Sequence, residues 1–113
     1  MIVKYLSKAE FGAINSNTDI KYFVTSIDVQ SHTHPGYIAR CIDNRMSEVG
    51  LKGTHYSQVI ATWKTNPVDE LNDIEQKLNS DNNWTTTYRK ELQQKAAELS
   101  VAVEVVGTDR LVA

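Results

Sequence analysis

The sequence holds one cysteine, Cys41, so no disulfide can form within the chain and a disulfide-stapled scaffold is excluded. No apolar run approaches the roughly 18 residues that a membrane-spanning helix requires. The segment from Met1 to Glu10 lacks the long apolar core and small-residue cleavage site of a signal peptide. Together these absences lead us to expect a soluble, cytoplasmic protein. There are 12 Lys and Arg against 14 Asp and Glu, a net charge of −2, so the basic excess of a nucleic-acid binder is missing. The sequence has no Walker loop, no Gly-x-Gly-x-x-Gly and no Gly-x-Ser-x-Gly, so ATP or NAD binding in a standard fold and a nucleophile elbow are not indicated. Nothing calls for a cofactor. Only two prolines occur, and no Pro/Ser/Gly linker, repeat or low-complexity tract divides the chain.

What is present is an ordinary globular composition, 41% hydrophobic and 23% charged over 113 residues, which fits one domain spanning residues 1–113. A chain of this length buries roughly two-thirds of its unfolded surface and folds without staples.

The elements follow from periodicity. Ile2–Leu6 reads as a short strand. Ser7 and Glu10 have capping-box spacing, which predicts a helical turn through Ile14, followed by a polar loop at Asn15–Asp19. In Ile20–Val29 the alternation sets Phe23, Thr25, Ile27 and Val29 on a core-facing side and Tyr22, Val24, Ser26 and Asp28 on the other. Ile38, Cys41, Ile42, Met46 and Val49 recur at helical spacing and stop at Gly50, with Leu51 beyond; this predicts a helix over Tyr37–Val49 closed by a left-handed glycine. On that stripe Cys41 is a buried small hydrophobe. Tyr56–Lys64 reads as an interior strand with Val59, Ala61 and Trp63 on one face. If it shares a sheet with Ile20–Val29, the pair forms a parallel crossover. Asn66-Pro67 starts a helix with the stripe Val68, Leu71, Ile74 and Leu78. Trp84, Tyr88, Leu92, Ala96 and Leu99 carry a second stripe, making a C-terminal helix hairpin. Val101, Val103 and Val105 alternate and predict a last strand, with extension of the preceding helix as the other reading. The expected class is α+β (or α/β), with about four strands, one strand-helix-strand crossover and that helix hairpin.

Four constellations carry chemistry. His32, His34 and His55, with Cys41, Asp28 or Asp43, offer nitrogen, sulfur and oxygen ligands but no zinc spacing, so no metal site is assigned. The loop Ser31–Gly36 leads into a helix N-terminus, where free amides and the dipole attract anions. There Ser31 and Thr33 offer hydroxyls, His34 a donor, and Arg40 a bidentate charge one turn in; with Arg110 these form the expected ligand-binding set for a phosphate or carboxylate. The ordinary meaning of such a loop is simply a capped helix. Trp84, Tyr88 and Arg89 are the expected interface residues, being the types that interface hot spots favour. Asp69, Glu70, Asp73 and Glu75 against Lys77 form an acidic helix face, most commonly just solvated.

With no convincing nucleophile or acid–base pair, no catalytic residue is assigned. The expected function is a small non-enzymatic binding protein, an inhibitor or regulator of the phage accessory type, acting through a partner-binding or ligand-sequestering surface. Two alternatives stand beside it. One is a homo-oligomer that binds a small anionic ligand such as a nucleotide between subunits. The other is a small enzyme using His34 or His55. No nucleic-acid or membrane partner is expected, and aromatics on several elements predict self-association.

Overall fold

The computed structural model describes residues 1–11, 19–51, 56–80, 83–108 and 111–112. Strand β1 (Ile2–Phe11) and strand β2 (Asp19–Asp28) pair antiparallel along their whole length, from Ile2 opposite Asp28 to Phe11 opposite Asp19. Helix α1 (Pro35–Glu48) leads to β3 (Tyr56–Trp63), which pairs antiparallel with the other side of β1. Helices α2 (Pro67–Leu78) and α3 (Thr86–Val106) follow and pack together. A two-residue segment, β4 (Leu111–Val112), lies parallel to β2 at Tyr22 and Phe23, giving the order β3-β1-β2-β4. The class is α+β. The crossover β2–α1–β3 exists, and its strands run parallel, but β1 lies between them.

The two faces of the sheet separate by residue parity, as the pleat requires. Ala9, Phe23 and Ile27 meet Ile42 and Leu51 beneath α1. Leu6, Ala61 and Trp63 meet Leu99, Ala102 and Val105 of α3 on the opposite face, where Leu71 and Ile74 of α2 join them. The sheet is thus covered on both sides, which explains why Tyr22 and Val24, on the second face of β2, are also packed.

Helix ends follow local chemistry. Asn66 caps α2, its side-chain oxygen accepting from the Val68 amide at 2.8 Å, with Pro67 at the first position. Gly50 closes α1 at φ 79°; its amide reaches the Ser47 carbonyl at 3.1 Å and the Leu51 amide reaches Met46 at 2.9 Å. That pair of bonds, with Leu51 buried behind it, is a Schellman motif.

Three expectations are corrected. The Ser7–Glu10 turn is strand: β1 continues through Phe11, Ser7 is fully buried opposite Phe23 and Val59, and Lys8 pairs with Glu10 at 2.8 Å. Residues two apart share a strand face but not a helix face, so this ion pair belongs to the strand. The rest of the expected turn and most of the Asn15–Asp19 loop lie outside the described residues. The fourth strand expected at Val101–Val105 is the last part of α3. Leu99, Ala102 and Val105 are its buried residues there, at a helical spacing that overrides the β-branched alternation. In β3 the pairing register shifts between Leu6 and Ser7 of β1: Leu6 faces Ala61, while Ser7 faces Val59. This bulge sends Val59 to the α1 side, where it is 40% exposed, and keeps Ala61 and Trp63 under α3. The outer edge of β3 is further blunted by Lys95, whose Nζ donates to the Thr62 carbonyl at 2.6 Å.

Candidate functional site

The N-terminus of α1 uses its own amides. Pro35 has none to offer. His34 is the cap, and its Nδ1 accepts from the Gly36 amide at 2.9 Å. The His34 carbonyl accepts from Tyr37 at 3.0 Å and from Ile38 at 3.4 Å. Thr33 turns its hydroxyl oxygen to the Gln30 amide at 2.8 Å, and its own amide returns to the Gln30 carbonyl at 3.0 Å. The loop therefore closes on itself, and its first amides are not presented to an anion. Ser31 and Arg40 are exposed on this loop and helix. Arg110 and His55 lie outside the described residues. The structure brings Ser31, Thr33 and His34 into one loop, with Arg40 on the solvent side of α1, but shows no convergence of the four on one point.

Trp84, Tyr88 and Arg89 do come together, around the end of α2. The Trp84 and Tyr88 rings lie 5.0 Å apart at 58°. Trp84 Nε1 donates to the Lys77 carbonyl at 2.8 Å, and Arg89 Nη1 reaches the Leu78 carbonyl at 3.5 Å. These donors meet carbonyls of the last turn of α2, where the Lys77 carbonyl also accepts from the Ser80 amide at 3.3 Å and hydroxyl at 2.7 Å. Thr85 caps α3 beside them, accepting from the Tyr88 amide at 3.1 Å. Polar groups engaged this way join α2 to α3. Trp63, on β3, is buried elsewhere in the core. Of the acidic residues on α2, Glu70 bonds the amides of Lys64 at 2.8 Å and Thr65 at 3.2 Å, so it holds the entry to the helix.

The sequence reading missed a groove between α1 and the outer edge of β2. β4 pairs only with Tyr22 and Phe23, so among the described residues nothing continues the sheet beside Val24 to Asp28. Hydrogen-bonding direction alternates along a strand. The Val29 amide points inward to Met1 at 2.8 Å, whereas the Val24 carbonyl points outward and accepts from Arg45 Nε at 3.2 Å. The alternation therefore directs the main-chain groups of Ser26 and Asp28 outward as well. The groove beside them holds about 400 Å³ and is lined by Val24, Thr25, Ser26, Cys41, Asn44, Arg45 and Glu48. Thr25 is 4% exposed and its hydroxyl has no hydrogen-bond partner.

Charges sit at both ends of this groove. Arg45 Nη1 contacts Glu48 at 3.3 Å at one end, and the Met1 amine meets Asp28 at 2.7 Å at the other. Tyr37 is 54% exposed, and Cys41, expected in the core, is only half-buried. A hydrogen bond with the Cys41 thiol, followed by that group's charge, burial and Asp28, raises the Tyr37 phenol above its ordinary value. The helical spacing of Tyr37, Cys41, Asn44, Arg45 and Glu48 was visible in the sequence as a flank of α1. What that flank faces was not.

No group of three or more His, Cys, Asp or Glu side chains among the described residues is placed to hold a metal ion. No helix among them is long and apolar enough to cross a membrane. The chain matches no protein-family model, no curated protein and no solved structure.

Proposed function

We propose that this is a small binding protein, an inhibitor or regulator working in a reducing, cytoplasmic compartment, and that it takes an extended segment of a protein partner into the α1–β2 groove. The observation that carries this reading is the open edge of β2 from Val24 to Asp28, lying beside a helix flank with a groove between them. An added strand would take its main-chain bonds from Ser26 and Asp28 and its side-chain selection from the α1 wall. Arg45, Asn44 and the unpaired Thr25 hydroxyl favour a segment carrying an acidic or amide side chain at the Val24 end. The internal pairing of the α1 N-terminal amides weighs against a free anion held at Ser31–Gly36.

The test uses proline, which removes a main-chain donor. At Ser26 the lost N–H faces outward, and an edge strand tolerates that. Purified protein is used to select from a library of displayed random peptides. The reading expects enriched peptides that bind the wild type and lose binding to Ser26→Pro. Peptides that bind both proteins equally, or no enrichment at all, would refute it.

A further inference from the structure

We infer that the β2 edge also pairs with itself, so that a second copy of this chain occupies the groove across a two-fold axis at Ser26. The inference rests on the reading of the α1–β2 groove as the binding surface and adds its resting occupant, which an incoming partner segment must displace. The main-chain pattern is self-complementary. With Ser26 opposite Ser26 of the partner subunit, Val24 stands opposite the partner's Asp28, and every residue in these pairs directs its N–H and C=O outward. A one-residue slip would place inward-directed groups opposite outward ones, so the alternation admits only registers an even number of residues apart, and of these the one centred on Ser26 sets the partner's Asp28 opposite Val24.

Charge complements the register. The Arg45 guanidinium is held at the Val24 carbonyl, where the partner's Asp28 arrives, and the two-fold axis repeats the contact. On the α1 side of the extended sheet, the two α1 helices flank the axis and run antiparallel to each other. Their level can be estimated. Two residues along β2, from Val24 to Ser26, cover about 7 Å. The same distance on α1 is four to five residues back from Arg45, at about 1.5 Å each. That brings Cys41 level with Ser26, and both line the same groove. The only cysteine of the chain therefore sits beside the axis, where it faces its symmetry mate, with the exposed Tyr37 adjoining it.

The experiment combines sedimentation equilibrium with crosslinking of the native thiol. Wild-type protein at tens of micromolar is expected to dimerise, and a short bismaleimide to trap the dimer through Cys41. Ser26→Pro is expected to weaken dimerisation about tenfold or more, because both central hydrogen bonds are lost, and to abolish the crosslink. Thermal melting establishes that the variant is folded. Independently of proline, Arg45→Asp and Asp28→Arg are each expected to weaken the dimer, and the double reversal to restore it. A protein that stays monomeric at these concentrations overturns the inference. So does a dimer that Ser26→Pro leaves intact, or one in which Cys41 reacts only with single maleimides. Peptide selection separates the two claims: displayed peptides that need Ser26 and bind a strict monomer sink the self-pairing and leave the partner-binding reading standing.

Discussion

Replacing Gly50 with alanine isolates the backbone energy of ending α1. Gly50 sits at φ 79°, and a Cβ built there meets no atom within 4 Å, so no steric clash contributes. For an L-residue the left-handed conformation costs roughly 1–2 kcal/mol. Alanine also lowers the entropy of the unfolded chain, which on its own stabilises by about 0.4–1 kcal/mol. The net expectation is destabilisation by about 1 kcal/mol, equivalent to roughly 4 °C in the melting midpoint for a domain of this size. Asparagine tolerates the conformation better and should lose less than alanine. Valine, being β-branched, should lose more. Urea unfolding of the three variants and the wild type measures the series. A Gly50→Ala protein as stable as the wild type, or more stable, would refute the reasoning, since entropy would then outweigh a strain that should exceed it.

Three further outcomes follow from buried or engaged polar groups. Ser7→Ala should stabilise the domain by about 1 kcal/mol, because the Ser7 hydroxyl is fully buried without a partner; a loss of stability on denaturant titration would show that the hydroxyl is satisfied. His34→Ala should destabilise by roughly 0.5–2 kcal/mol through loss of the α1 cap, and a helix unaffected by calorimetry and amide exchange would disprove the capping role. Tyr37 should titrate above an ordinary tyrosine when followed by phenolate absorbance. Its folded-state value is raised, so the folded protein holds the proton longer than the unfolded chain and stability falls as pH climbs above 10. Cys41→Ala should remove most of that displacement; an unchanged titration would exclude the thiol as its cause.

Much of the helical architecture is legible in the residues because its causes are local. The Asn66-Pro67 start of α2 and the Gly50-Leu51 end of α1 are each set within a few residues, by a cap, a ring or a permitted φ, and the sequence states them directly. The α1 stripe and the core-facing alternation of β2 are equally direct, since one residue period answers to one buried face, whereas of the stripe expected on α2 only Leu71 and Ile74 pack against the core and Val68 is 45% exposed. The Ser7–Glu10 segment has a local pattern that fits a helix start, yet it becomes strand because β1 lies between β2 and β3 and gains both partners. Val101–Val105 alternates like a strand, yet Ala102 and Val105 have a core to fill only as helix. The bulge in β3 reverses the faces expected for Val59, and its cause is register with a strand distant in sequence. The groove belongs to this second kind. Tyr37, Cys41, Asn44, Arg45 and Glu48 were always on one flank, and Ser26 was always on a strand. That among the described residues β2 keeps an open edge beyond Phe23, and that α1 folds back to place its flank beside that edge, depends on which strands pair, and pairing is decided by contacts no local period records.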